Sequence, residues 1–294
     1  MFPDFPEGKR YNTFAGYYKR IYGERLQKLV IDAGFTCPNR DGKVGRGGCS
    51  FCDNAAFHPG YSVPGKSIAD QIDEGISFHR VRYRNTRHYL AYFQSYSNTY
   101  APLPRLVELY SEALSHPSVV GIVIGTRPDC VDEEKLDWLA SLKDGRALPG
   151  WRREGFGKPV VKIEYGIESC YDRTLERVGR GHDVAAAVKA LAMSAERGLE
   201  PGAHFILGLP GETREMLLDQ CSFISSLPLH SVKFHQLQIV RGTRIEKEFE
   251  ACPGDFLRLS LDDYLDLVTD ILERLRPDLY IERVAGEVPP RFVN

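Results

Sequence analysis

The chain of 294 residues is 43% hydrophobic and 27% charged, with a formal charge of −2, which suits a globular protein with ample core and excludes a disordered chain or one that coats nucleic acid through a global basic field. Its seven cysteines are an odd number, and only Cys49 and Cys52 lie close together, which excludes a small disulfide scaffold and points to a reducing, cytoplasmic setting. The N-terminus lacks the pattern of a secretory signal and no apolar run approaches the ~18 residues of a membrane span, so no membrane partner is expected.

In chain order, residues 1–25 read as an N-terminal extension packing on the domain that follows. Short runs rich in β-branched and aromatic residues mark strands at 26–35, 88–94, 119–126, 160–169, 203–209 and 231–240. Amphipathic stretches follow them at 67–81, 102–114, 132–142, 172–198 and 213–227, with a last helical pattern at 260–275. The Gly/Pro/Arg-rich segment 143–159 reads as a surface insertion. Strand–helix alternation six times over predicts an α/β fold with a parallel sheet, and six units fall short of the roughly eight of a closed barrel. The expectation is an open, partial (β/α)6 barrel over residues 26–280, with a tail at 281–294 and chemistry at the C-terminal ends of the strands.

Cys37, Cys49 and Cys52 form C-x11-C-x2-C in the loop after the first strand, and the intervening PNRDGKVGRGG holds four glycines that allow backbone to wrap a buried object. Thiolates bind iron–sulfur clusters and zinc alike. Three cysteines without a fourth suit a cluster with one open iron; with His58 as fourth ligand they equally suit zinc, and spacing alone leaves both open.

The segment CPNRDGKVGRGGCSFCDN resembles the cluster loop of the radical S-adenosylmethionine (SAM) superfamily, in its YhcC-type branch, and is distantly similar to the catalytic domain of the elongator complex. The strings FQSYSNTYAP (93–102), IGTRPDCV (124–131), EYGIESCYDRTLERVGRGH (164–182) and HFILGLPGET (204–213) follow in the family's order, each at a predicted strand end. The resemblance implies a [4Fe–4S] cluster on Cys37, Cys49 and Cys52 that cleaves SAM reductively to a 5′-deoxyadenosyl radical, with an electron donor such as flavodoxin or ferredoxin. It implies Phe51 beside the SAM adenine, and Gln94, Ser95, Tyr96 and Asn98 around the amino group, although that loop also reads as a polar cap for the next helix. Thr126 and Asp129 become pocket candidates, Glu168 and Ser169 ribose ligands, and Arg180 the carboxylate ligand. Gly208 would follow the adenine, with Gln236 and Gln238 facing the same pocket; Glu212 reads also as a helix-start carboxylate. Cys130 and Cys170, near the mouth, are hydrogen-atom donors or small hydrophobes, and Cys221 and Cys252 look structural.

The same resemblance points to tRNA as substrate, at a wobble-uridine side chain. Arg80, Arg82, Arg84 and Arg87 form the densest basic patch, able to contact RNA phosphates or to serve as a solvated helix C-terminus, and Lys43, Arg46, Arg152 and Arg153 could extend it. The alternatives are a radical enzyme acting on a small metabolite or peptide, and a zinc-stabilised, non-catalytic interaction module.

Overall fold

The computed structural model describes residues 5 and 8–293. In chain order these residues form β1 (Asn12–Thr13), α1 (Phe14–Tyr22), β2 (Gln27–Ile31), α2 (Ile68–Arg80), β3 (Tyr89–Phe93), α3 (Leu103–Ser115), β4 (Val119–Thr126), α4 (Glu133–Lys143), β5 (Val160–Glu168), α5 (Asp172–Arg177), α6 (Val184–Glu196), β6 (Gly202–Leu207), α7 (Arg214–Ser226), β7 (Ser231–Gln236), α8 (Arg244–Ala251), α9 (Leu261–Arg274) and β8 (Tyr280–Arg283). The strands make one parallel sheet in the order β1-β8-β7-β6-β5-β4-β3-β2, curled into a half-barrel with helices outside. The six expected strands are β2 to β7. Two short strands extend the sheet past β7: β8 starts at the residue where the core was expected to end, and β1 lies inside the expected N-terminal extension.

Alternation along the strands explains the two layers. On β5, Val161, Ile163, Tyr165 and Ile167 join the core shared with the outer helices. The intervening Lys162, Glu164 and Glu168 are buried as well, on the opposite, concave face. β7 repeats the device, with Val232 and Phe234 outward and Lys233 and His235 inward. Buried charges need partners, and here they supply one another: Lys28 and Lys233 each bond both Glu164 and Glu282, at 2.5–2.9 Å. At the N-terminal end of the half-barrel, Phe14 and Tyr18 of α1 pack with Leu26, Leu90, Val120 and Val123 and close the floor. Thr13 Oγ1 accepts the Gly16 N–H and starts that helix, and Gly23, at φ 76°, ends it.

Two readings change. The stretch 172–198 is two helices, because Gly179 and Gly181 take positive φ and turn the chain between α5 and α6. The 143–159 segment is tied down: Phe156 is buried against Tyr22, Trp151 Nε1 bonds the Leu114 carbonyl, and Arg153 bonds the carbonyls of Leu114, Ser115 and His116 at the end of α3. Arg153 is therefore a helix C-cap and not part of a free basic surface.

Candidate active site

A cavity of about 190 Å3 opens at the C-terminal ends of the strands, and Cys37, Cys49 and Cys52 line one wall of it. Their loop is wound tightly. Cys37 O accepts the amides of Arg40 and Asp41, Pro38 O those of Val44 and Gly45, and Gly47 and Gly48 sit at φ 81° and 83°. The loop is pinned to the turn after α5, where Asn39 Nδ2 bonds Gly179 O at 2.6 Å and Ser50 N bonds Val178 O at 2.8 Å.

Nitrogen donors point at the sulfurs. Cys49 Sγ receives Asn39 Nδ2 and Arg180 Nη1 at 3.5 Å each, and Cys52 Sγ receives Arg40 Nη2 at 3.5 Å. Such donors suit thiolate held against a buried inorganic group. All seven cysteines are free, and among the described residues no three His, Cys, Asp or Glu side chains converge closely enough to hold a single metal ion. His58 does not line the cavity. Three thiols on one cavity wall, two of them receiving nitrogen donors and none accompanied there by His58, fit a cluster better than the zinc site with His58.

The opposite side of the cysteines is built by the end of β5. Glu168 sits at φ 76°, a strained backbone for a residue with a Cβ, worth roughly 1–3 kcal/mol. Arg180, between its two glycines, reaches back: Nη2 bonds Gly166 O at 2.5 Å and lies 3.5 Å from Glu168 Oε1. Gly166 is required there, since a Cβ would stand 2.5 Å from Glu168 Oε1 and 2.9 Å from Arg180 Nη2. Burial opposes the Arg180 charge, but Cys49 and Glu168 outweigh it and hold the guanidinium firmly cationic. Burial raises the Glu168 carboxyl, against the pull of Arg180 and Arg127. Glu168 Oε2, 3.5 Å from His204 Nδ1, and Arg180 Nε are buried without a hydrogen-bond partner, which leaves both able to take up a polar ligand.

Of the SAM candidates, Phe51, Gln94, Tyr96, Thr126, Glu168 and Arg180 line the cavity. The others do not. Asn98 bonds Gly125 O and carries Tyr110 on its carbonyl; its neighbour Ser95 is buried outside the lining. Ser169 Oγ donates to Glu212 Oε1 at 2.6 Å while Glu212 Oε2 accepts Leu209 N, so these two lock the β6 turn, with Gly208 at φ 84°, to the end of β5. Burial lifts the Glu212 carboxyl to about 7. Gln236 exchanges two hydrogen bonds with Gly286 and Gln238 adds a third, so both hold the C-terminal segment. Cys130 is buried outside the lining, and burial with Asp129 nearby raises its thiol to about 12, the properties of a packed sulfhydryl.

Arg80, Arg82, Arg84 and Arg87 are not brought to the cavity. They end α2 or lie in its connection to β3, at the N-terminal ends of the strands, where His88 bonds Glu24 and Tyr83 stacks with Arg25 and Arg82. Among the residues that join the site without having been expected are Arg40, Asp53, Tyr92, Arg127, Glu164, His204, Lys233, His235 and Arg283. Most announce themselves as polar residues at alternate positions of otherwise apolar strands, a period-2 signal. Arg127, 2% exposed, forks onto Asp129 and donates to Arg180 O at 2.7 Å, fixing the turn that presents Arg180.

Residues 37–224 match the family model described as Radical SAM superfamily, and residues 229–293 match that of the Radical_SAM C-terminal domain. This chain belongs to the radical SAM superfamily. As such it is an enzyme whose cofactors are a [4Fe–4S] cluster and SAM. Among curated proteins it is similar to protein YhcC of Escherichia coli K12, 35% identical over 278 residues that cover 95% of this chain and 84% of the relative. It is more distantly similar to Elongator complex protein 3 of Saccharomyces cerevisiae, 27% identical over 189 residues, 63% of this chain and 30% of the relative. Among solved structures, the archaeal Methanocaldococcus infernus Elp3 shares the fold at a TM-score of 0.64 and 15% identity, covering 91% of this chain and 58% of that one. Among the described residues no helix is long and apolar enough to cross a membrane.

Proposed function

We propose that this radical SAM enzyme modifies tRNA, at the side chain of a wobble uridine, in a reducing cytoplasm where flavodoxin or ferredoxin delivers the electron. Cys37, Cys49 and Cys52 hold three irons of the cluster. When bound, cluster and SAM supply the electron and the cleavable carbon–sulfur bond from which a carbon-centred radical arises. The chain's own residues orient and shield that chemistry. Arg180 binds a carboxylate with the remaining face of its guanidinium, Glu168 Oε2 accepts a ribose hydroxyl, Phe51 covers the adenine, and Gln94 and Tyr96 flank the amino group.

The observation that carries the RNA reading is a set of cations without carboxylate partners among the described residues: Arg283 on β8, which lines the cavity, and Lys43 and Arg46 in the loop that carries the cysteines. The sequence similarity to Elongator complex protein 3 supports the same choice. A small metabolite or peptide remains the rival substrate, because one fold hosts many chemistries.

The test is to incubate the anaerobically reconstituted enzyme, SAM and a reductant with bulk tRNA from a strain lacking the gene, then digest the tRNA and compare nucleosides by mass. A new modified uridine with matching 5′-deoxyadenosine is the expected result; 5′-deoxyadenosine with unchanged tRNA overturns the substrate. Cys49→Ala and Cys52→Ala variants should lose bound iron and the cluster's visible absorption, and wild-type iron content in either removes the ligand assignment.

A further inference from the structure

The cavity wall facing away from the cysteines is formed by β6, β7 and β8, and its charges do not cancel. Beneath it, Lys28 and Lys233 neutralise Glu164 and Glu282, and on the β5 side Arg180 neutralises Glu168. Arg283 lines the cavity, is exposed, and has no carboxylate partner among the described residues. Beside it the rings of His204 and His235 stand 4.3 Å apart. His235 uses Nδ1 on its neighbour's carbonyl at 3.0 Å, and His204 Nε2 is buried with no hydrogen-bond partner. Arg283 is a donor without an acceptor, and each imidazole, with Nδ1 turned to the Gln236 carbonyl or to Glu168 Oε2 at 3.5 Å, keeps an Nε2 that becomes a donor once the ring takes a proton.

We propose that His204, His235 and Arg283 form an oxyanion subsite that seats a phosphate of the molecule receiving the radical. The proposal rests on the reading of a radical enzyme with a nucleotide substrate, and it names the group by which that substrate is held. A phosphate offers several acceptor oxygens in different directions, matching a guanidinium fork and imidazole N–H groups. The groups facing the imidazoles are Glu168 and Glu164 from β5, Lys233 from β7 and Arg283 from β8. Burial, with the nearby cations, keeps both rings neutral in the empty cavity, His235 at about 4. An arriving anion offsets those cations, so its binding favours protonation of the pair and strengthens as pH falls.

The experiment measures binding to the cluster- and SAM-loaded enzyme under argon, by equilibrium dialysis, with the dinucleotide uridylyl-uridine, with uridine monophosphate and with uridine. The dinucleotide's phosphodiester keeps its charge from mildly acidic to mildly alkaline pH. Wild-type enzyme should bind it well above uridine, with affinity rising toward acidic pH. Arg283→Gln, at an exposed position that packing does not need, should weaken the dinucleotide at least about tenfold and leave uridine unchanged. His235→Asn should flatten the pH dependence. Whichever of dinucleotide and monophosphate binds more tightly, both through Arg283, separates an RNA phosphodiester from a free nucleotide as the source. Equal binding of dinucleotide and uridine, or an Arg283→Gln enzyme that binds like wild type, overturns the subsite. Arg283-dependent dinucleotide binding by an enzyme that leaves tRNA unmodified keeps the subsite and overturns the tRNA reading. Wild-type tRNA modification by Arg283→Gln does the reverse.

Discussion

Arg180→Ala removes a guanidinium that is 7% exposed and joined to Cys49 Sγ, Gly166 O and Glu168. What it leaves matters most: a Glu168 carboxylate, also 7% exposed, without its counter-charge. Breaking a buried pair from one side costs about 3–5 kcal/mol. Glu168 can limit that loss by taking a proton, since burial already raises its carboxyl, so the lower end, about 3 kcal/mol, is expected at neutral pH. Glu168→Gln alone should cost about 1 kcal/mol, because Arg180 keeps two other acceptors. The double variant no longer strands a charge, so a double-mutant cycle should return a coupling of about 2 kcal/mol. The assay is urea unfolding of the cluster-free, reduced protein for all four forms, which separates the pair from any effect on cofactor binding. The sign with pH also follows. In Arg180→Ala the folded Glu168 carboxyl lies above its unfolded value, so the variant's deficit shrinks as pH falls toward that unfolded value and grows as pH rises. Additive single effects, a coupling under about 0.5 kcal/mol, would refute the claim that these two side chains form one unit.

Three other outcomes are expected. Glu212 has a folded carboxyl at about 7 against an ordinary 4.5, so its burial is tolerated fully below about 4.5 and costs stability as pH rises toward 7; unfolding titrations should show on the order of 3 kcal/mol lost across that window, absent in Glu212→Gln. Gly166→Ala should fold but weaken SAM binding at least about tenfold, because its Cβ displaces Glu168 and Arg180, and unchanged binding by dialysis would remove the contact from the pocket. Replacing Arg80, Arg82, Arg84 and Arg87 with Ala should leave the salt dependence of tRNA binding in place, whereas Lys43→Ala with Arg46→Ala should reduce the salt slope by about 2. The opposite pattern would move the interface to the far end of the barrel.

The strands β2 to β7 were legible because each is a run of β-branched or aromatic residues longer than a turn, and their alternation with helices implied a parallel sheet. β1 and β8 were hidden: two and four residues, with Glu282 and Arg283 inside, leave no hydrophobic pattern to read. The break between α5 and α6 was masked because Leu175, Val178 and Ala185 keep three- and seven-residue spacings across it, although Gly179 and Gly181 stood there to be weighed. The cysteine loop, Phe51, Glu168 and Arg180 were found through resemblance, whereas Arg127 required knowing that β4 and the 179–182 turn meet. The arginines after α2 show a different error. Local charge density does not tell which end of the barrel a residue occupies, whereas a helix-to-strand connection lies opposite the strand C-termini, which suits the solvated helix end.

The pairing of β1 with β8 sets Asn12 beside Tyr280 and Thr13 beside Ile281, and Asn12 Nδ2 bonds Pro277 O at 2.7 Å. One margin of the sheet therefore waits on residues separated by nearly the whole chain. On the ribosome, the helix that seals the floor emerges well before the strand that pairs with β1. Ordering of the floor, with Lys28 over the Phe14 ring and against Glu282, waits until β8 has been made and the slow, non-local contact becomes possible.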